Sequence, residues 1–108
     1  MFFNLKGAKL IEKEYNFRSS SDKLVERIVN DDNAAINHMV LPKGEALPQH
    51  YSNSNVYMIV VKGNITLKLN DQEPNTYKTG SIVAIPYKIK MDVYNNDEEL
   101  LEFFVIKA

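Results

Sequence analysis

From residue 34 to residue 106 the chain is a succession of short stretches rich in β-branched and aromatic residues, each closed within a few positions by Gly, Pro, Asn or Asp. That rhythm restricts it to an all-β architecture. Residues 56–61, VYMIVV, are apolar at every position, which predicts a strand covered on both faces. Lys62-Gly63-Asn64 then supplies a turn, with Gly63 free to take a positive φ. Beyond it Ile65, Leu67 and Leu69 alternate with Thr66, Lys68 and Asn70, so the two segments read as a hairpin whose second strand has one wet face. Residues 70–75 turn the chain again, residues 81–85 form a further strand, and Pro86, which has no N–H to donate, ends it. Ile89, Met91 and Val93 alternate with polar residues in the next strand, and residues 95–98 turn into a last one over 100–106.

The first third is less regular. Residues 9–17 carry Leu10, Ile11, Tyr15 and Phe17 and read as a strand, followed by the polar break Ser19-Ser20-Ser21-Asp22. Residues 23–29 suit either a strand or one face of a short helix, because Leu24 and Ile28 stand four apart, and a helical turn near residues 19–25 has a place here. The cluster Asn30-Asp31-Asp32-Asn33 is a turn, and residues 34–41 return as a strand. Roughly eight to ten strands at this spacing make a sandwich or a barrel.

At 108 residues the chain, 1–108, fits a single domain, and its 44% hydrophobic and 25% charged residues have the balance of a folded globular protein. Thirteen basic residues against fourteen acidic ones give a net charge of -1, which disfavours nucleic acid as a partner. The absence of cysteine excludes disulfides, zinc-thiolate sites and cysteine nucleophiles. Neither a secretory leader nor an apolar run of membrane-spanning length is visible, so a cytoplasmic protein with no membrane partner is expected.

Two spaced frames of residues choose between sandwich and barrel. The first runs Gly44, His50, Ser52, Val56, Gly63, and the second runs Gly80, Pro86, Lys88, Met91, Asn95. In order and spacing they resemble the two signature motifs of the cupin superfamily. The resemblance implies a single cupin-type β-barrel, the jelly-roll or double-stranded β-helix. In that family the first frame carries two histidines and a glutamate and the second a further histidine, all ligands of a metal inside the barrel. Here Ser52 stands at the second His, Val56 at the Glu and Met91 at the last His, while Lys88 replaces a turn glycine. His50 is the only retained ligand position. Such a set suits no ordinary nitrogen-and-oxygen metal site, so no cofactor is expected, with a bound divalent metal as the alternative.

The substituted positions describe a chamber. In the cupin register Val56, Met58 and Val60 share the inward face with Ile89, Met91 and Val93, which gives either a filled core or an apolar pocket. The ligand-binding candidates are therefore His50, Ser52, Val56, Met58, Met91, Val93 and Asn95, with Gln49, Tyr51, Asn53, Ser54, Asn55 and Lys88 near the mouth. His50 is also the catalytic candidate, since imidazole titrates near neutrality, although a lone histidine with no partner at ligand spacing is usually a hydrogen-bonded group on the barrel wall. His38 faces either side; facing inward it would approach His50 and build a two-histidine site with Tyr51, Tyr57 or water.

The leading expectation is a small-molecule-binding or sensing module that lacks the usual metal-ligand set. The alternative is an enzyme: a metal-dependent oxygenase or isomerase with irregular ligands, or a metal-free lyase or epimerase using His50. Tyr57, Ile59 and Val61 point outward in the same register, which suggests a homodimer through that face, extended by Met1, Phe2, Phe3 and the first strand.

Overall fold

The structure is a computed structural model that describes residues 10–108. The expectation placed on Met1, Phe2 and Phe3 lies outside the described residues. Nine strands follow one another: β1 Leu24–Asn30, β2 Ala35–Leu41, β3 His50–Tyr51, β4 Val56–Lys62, β5 Asn64–Leu69, β6 Asn75–Lys78, β7 Ile82–Ile85, β8 Lys90–Tyr94 and β9 Leu101–Lys107. They form two antiparallel sheets, one ordered β1-β2-β9-β4-β7 and the other β3-β8-β5-β6. No helix occurs among the described residues.

Several local expectations change. Residues 10–20 are irregular rather than a strand, and residues 19–25 hold no helical turn. Ser20 Oγ instead donates to the Asp22 carbonyl and accepts the Asp22 N–H, a local polar turn that delivers the chain into β1. The ambiguous stretch after it is β1, because its partner β2 supplies a ladder that the four-residue spacing of Leu24 and Ile28 cannot match. Two short strands, β3 and β6, had no apolar alternation to announce them.

The largest correction concerns the expected hairpin. β4 and β5 do not pair: β4 lies between β9 and β7, while β5 lies between β8 and β6 in the opposite sheet. The Lys62-Gly63-Asn64 link is a crossing between layers, and it passes close to the strand that follows the last turn. Gly63 has φ 73°, and a Cβ there would strike the Leu100 carbonyl oxygen. Glycine is thus required twice at this point, for its backbone angle and for its bareness.

The core lies between the sheets. Leu41, Val56, Met58, Val60, Phe103 and Leu101 from the first sheet meet Ile65, Leu67, Met91 and Val93 from the second, all buried. Thr66, expected on a wet face, is 4% exposed because β6 lies beside it and Thr76 Oγ1 stands 2.9 Å from Thr66 Oγ1. The outer face of β4 is less covered than its unbroken apolar run implied: Tyr57 and Val61 are each 42% exposed. Ile82 on the edge strand β7, paired with Ile59, is 68% exposed.

Candidate functional site

A cavity of about 340 Å³ opens between the two sheets. Its wall is apolar: Met39 from β2, Val56 and Met58 from β4, Val105 from β9 and Met91 from β8, with Leu47 from the preceding loop. Three thioethers thus surround one space. Its mouth is polar, formed by His50, Tyr51, Asn53, Asn37 and Lys107. Alternation places these groups. On β2, Asn37 and Met39 point inward while His38 points outward, and on β4 Val56 and Met58 point inward past Tyr57.

His50 is directly opposite Met91 in the β3–β8 ladder, so the retained histidine and the residue at the last ligand position do meet. His50 Nδ1 is 2.9 Å from the Pro48 carbonyl oxygen. A carbonyl only accepts, so Nδ1 carries the proton and Nε2 of the neutral ring is left as an acceptor. Among the described residues this backbone contact is the only hydrogen bond of the His50 ring, and no acid or base is paired with it.

Ser52 touches the cavity, but its hydroxyl is committed to the fold. Oγ donates to the Pro86 carbonyl at 2.7 Å and accepts the Ile89 N–H at 2.8 Å, and the Ser52 carbonyl accepts the Lys88 N–H at 2.9 Å. These bonds close the turn in which Lys88, at the family's glycine position, is held at φ 67°. Lys88 is therefore a turn residue with its ammonium 5.3 Å from the Tyr87 ring centre, and it does not line the cavity.

Two further candidates stand elsewhere. Val93 is buried in the core and is not part of the cavity wall. Asn95 is 1% exposed, and its amide donates to the Leu41 and Glu99 carbonyls at 2.8 Å each while its oxygen accepts the Asp97 N–H. Its place is to tie the end of β2 to the turn before β9, which explains why that frame position is an asparagine.

His38 faces away from His50. It is wholly buried on the outer side of the five-stranded sheet, with Nδ1 2.7 Å from Glu26 Oε1 and Nε2 2.6 Å from Glu102 Oε2. The Phe17 and Phe104 rings lie with centroids 4.9 Å from it and from each other. The two-histidine site is thereby excluded.

A metal of the cupin kind would have to be held by His50, Ser52, Val56 and Met91. With the Ser52 hydroxyl already engaged and Val56 inert, one imidazole and one thioether remain, and these residues do not fit that group. Among the described residues no cluster of three or more His, Cys, Asp or Glu side chains could hold a metal ion.

The matched frames and the paired sheets have independent counterparts in known proteins. The Cupin domain family model matches residues 37–107. The chain belongs to the cupin family. This cupin is 52% identical over 100 residues to an uncharacterized protein of Methanocaldococcus jannaschii, a match that covers 92% of this chain and 86% of the other. It is also similar to a crystal structure from that organism, an RmlC-like cupin family protein with a double-stranded β-helix fold. There the TM-score is 0.90 at 51% identity, over 93% of each chain. A cupin superfamily protein of Desulfitobacterium hafniense shares the fold at 11% identity, with a TM-score of 0.73 over 86% of this chain and 83% of that one. No helix among the described residues is long and apolar enough to cross a membrane.

Sequence reasoning overlooked Asn37, Met39 and Lys107, which line the cavity. The signal was present in the alternation: Asn37, Met39 and Leu41 share one face of β2, and Phe103, Val105 and Lys107 share one face of β9.

Proposed function

We propose that this cupin is a small-molecule-binding or sensing module whose ligand lodges between the sheets. The supporting observation is the chamber itself: apolar and lined by Met39, Met58 and Met91, at the place where the family frames direct a metal, with His50 at its mouth. Thioether side chains adapt to irregular apolar shapes, and the His50 Nε2 offers one directional contact. A metal-free lyase or epimerase would use His50 as its base. No second acid or base stands within hydrogen-bonding distance of that ring among the described residues, so binding has the stronger support.

The test is methyl NMR of protein carrying labelled methionine, titrated with 1-octanol as an apolar probe. Saturable shifts at the Met39, Met58 and Met91 methyls are expected, and a flat response at all three would remove the reading. Elemental analysis of untagged protein provides a second check, since stoichiometric transition metal would overturn it.

The proposal includes pairing with a second copy. Tyr57, Val61 and Ile82 form an exposed apolar strip that reaches the open edge strand β7, and an antiparallel edge is self-complementary about a two-fold axis. Sedimentation at micromolar concentration is expected to give a dimer, and a monomer there would contradict it.

A further inference from the structure

The inner face of the five-stranded sheet should be apolar, yet at one end it carries two cations. Arg27 pairs with Asn37 in the β1–β2 ladder, and Asn37 pairs with Val105, which in turn pairs with Met58. Directly opposed residues of a sheet project to the same side, so Arg27 belongs to the row that contains Met58 of the chamber wall. Lys107 pairs with both Ala35 and Val56, and Val56 is an inward, buried residue. Both cations therefore project on the cavity side.

They do not point into the apolar chamber at random. A second, polar cavity of about 240 Å³ is lined by Arg27, Asn30, Ala35, Asn37, Asn53 and Lys107. Asn37, Asn53 and Lys107 line the apolar chamber as well, so the two spaces share a wall of two amides and an ammonium. Neither space is lined by an Asp or Glu. Among the described residues no ion pair is formed by Arg27 or by Lys107. Two cations that line one compartment without a counter-charge leave it electropositive, which favours an anion there.

The geometry points to a bipartite site for an amphiphilic organic anion, with its apolar body among the methionines and its oxyanion head against Arg27, Lys107, Asn37 and Asn53. A carboxylate is the smallest head of this kind: its two oxygens take a guanidinium, an ammonium or amide N–H groups as donors. This assignment rests on the binding reading above and specifies the ligand class for the same chamber.

Octanoate and 1-octanol share an alkyl chain and differ in the head, so they separate the two claims. Octanoate is expected to bind about tenfold more tightly than 1-octanol at low ionic strength, a difference that shrinks as salt screens the mouth. The double variant Arg27→Gln and Lys107→Gln removes both charges and leaves shorter, neutral side chains that still carry N–H donors. It is expected to bring octanoate down to the affinity that the same variant shows for 1-octanol, while the thermal midpoint stays unchanged. Equal affinity of the two probes for the unaltered protein would overturn the anion site and leave the chamber standing. An octanoate preference that survives in the folded double variant would overturn it as well. If neither probe shifts the Met39, Met58 and Met91 methyls, the binding reading itself falls, and this inference with it.

Discussion

Glu26 and His38 face each other across β1 and β2 at 2.7 Å, and the opposite nitrogen of the same ring reaches Glu102 on β9 at 2.6 Å. Two contacts between nitrogen and carboxylate oxygen need two shared protons, so the trio acts as one hydrogen-bonded unit spanning three strands. Glu26 also accepts the Arg18 backbone N–H at 3.0 Å, which attaches the irregular N-terminal segment to the sheet while Phe17 covers the ring.

His38→Ala would leave two carboxylates facing an emptied, largely buried space. The expected cost is about 3 kcal/mol, as for the loss of one partner of a buried charged set. Chemical denaturation measures it, and limited proteolysis should find residues 10–20 cut faster. An unchanged midpoint would show that the trio contributes nothing to stability.

Acid should weaken the fold. The Arg18 backbone N–H holds the Glu26 carboxyl below its ordinary value of 4.5, against the opposing effect of burial and with help from the hydrogen bonds of His38 and of the Arg18 side chain. Asp31, through the Asn33 and Ala34 N–H groups, and Asp97, through the Asn64 amide and the Glu98 N–H, lie below their ordinary 3.8. A carboxyl depressed in the folded state contributes stability that is complete above its ordinary value and is lost as pH falls through the lower folded one. Urea midpoints should therefore hold steady down to pH 5 and drop below about pH 4.5, with a shallower drop in Glu26→Gln. A midpoint that rises on acidification would contradict this assignment.

Gly63→Ala tests the crossing between sheets. The added methyl meets the Leu100 carbonyl oxygen in a backbone already at φ 73°, so a loss of about 3 kcal/mol or more is expected. Gly80→Ala is the control, since Gly80 also has a positive φ but nothing within 4 Å of the added atom. The difference between their melting temperatures isolates the contact from the backbone angle.

Ser52→Ala separates scaffold from ligand contact. It orphans the Pro86 carbonyl and the Ile89 N–H and should cost about 2 kcal/mol of stability. Once the variant is folded, its affinity for 1-octanol should match that of the parent. A selective loss of binding at unchanged stability would return Ser52 to the site.

The parts of this molecule legible in its sequence are those fixed by local geometry. Gly44, Gly63 and Gly80 have positive φ, Pro86 ends β7's run, and the inward set of Val56, Met58 and Met91 follows from a period of two. What stayed hidden depends on partners distant in sequence. Nothing in VYMIVV reveals that β4 pairs with β9 rather than with the strand that follows it, because either pairing satisfies the same alternation. Ser52 and Asn95 looked like ligand positions since their polarity is visible, whereas the backbone groups that use up that polarity are not. The side of the sheet that Arg27 takes is set by its ladder partner Asn37, ten residues along on the neighbouring strand, which no local pattern around Arg27 announces.

The position of β9 between β2 and β4 carries a consequence for the chain's birth. A ribosome delivers β1 and β2 as a ready antiparallel pair, but β4 has nothing to join them through until residues 101–107 have emerged. Through most of synthesis the apolar inner faces of β2 and β4 wait without their common neighbour, exposed to chaperones and to other nascent chains. Completion of the five-stranded sheet therefore waits on one seven-residue strand.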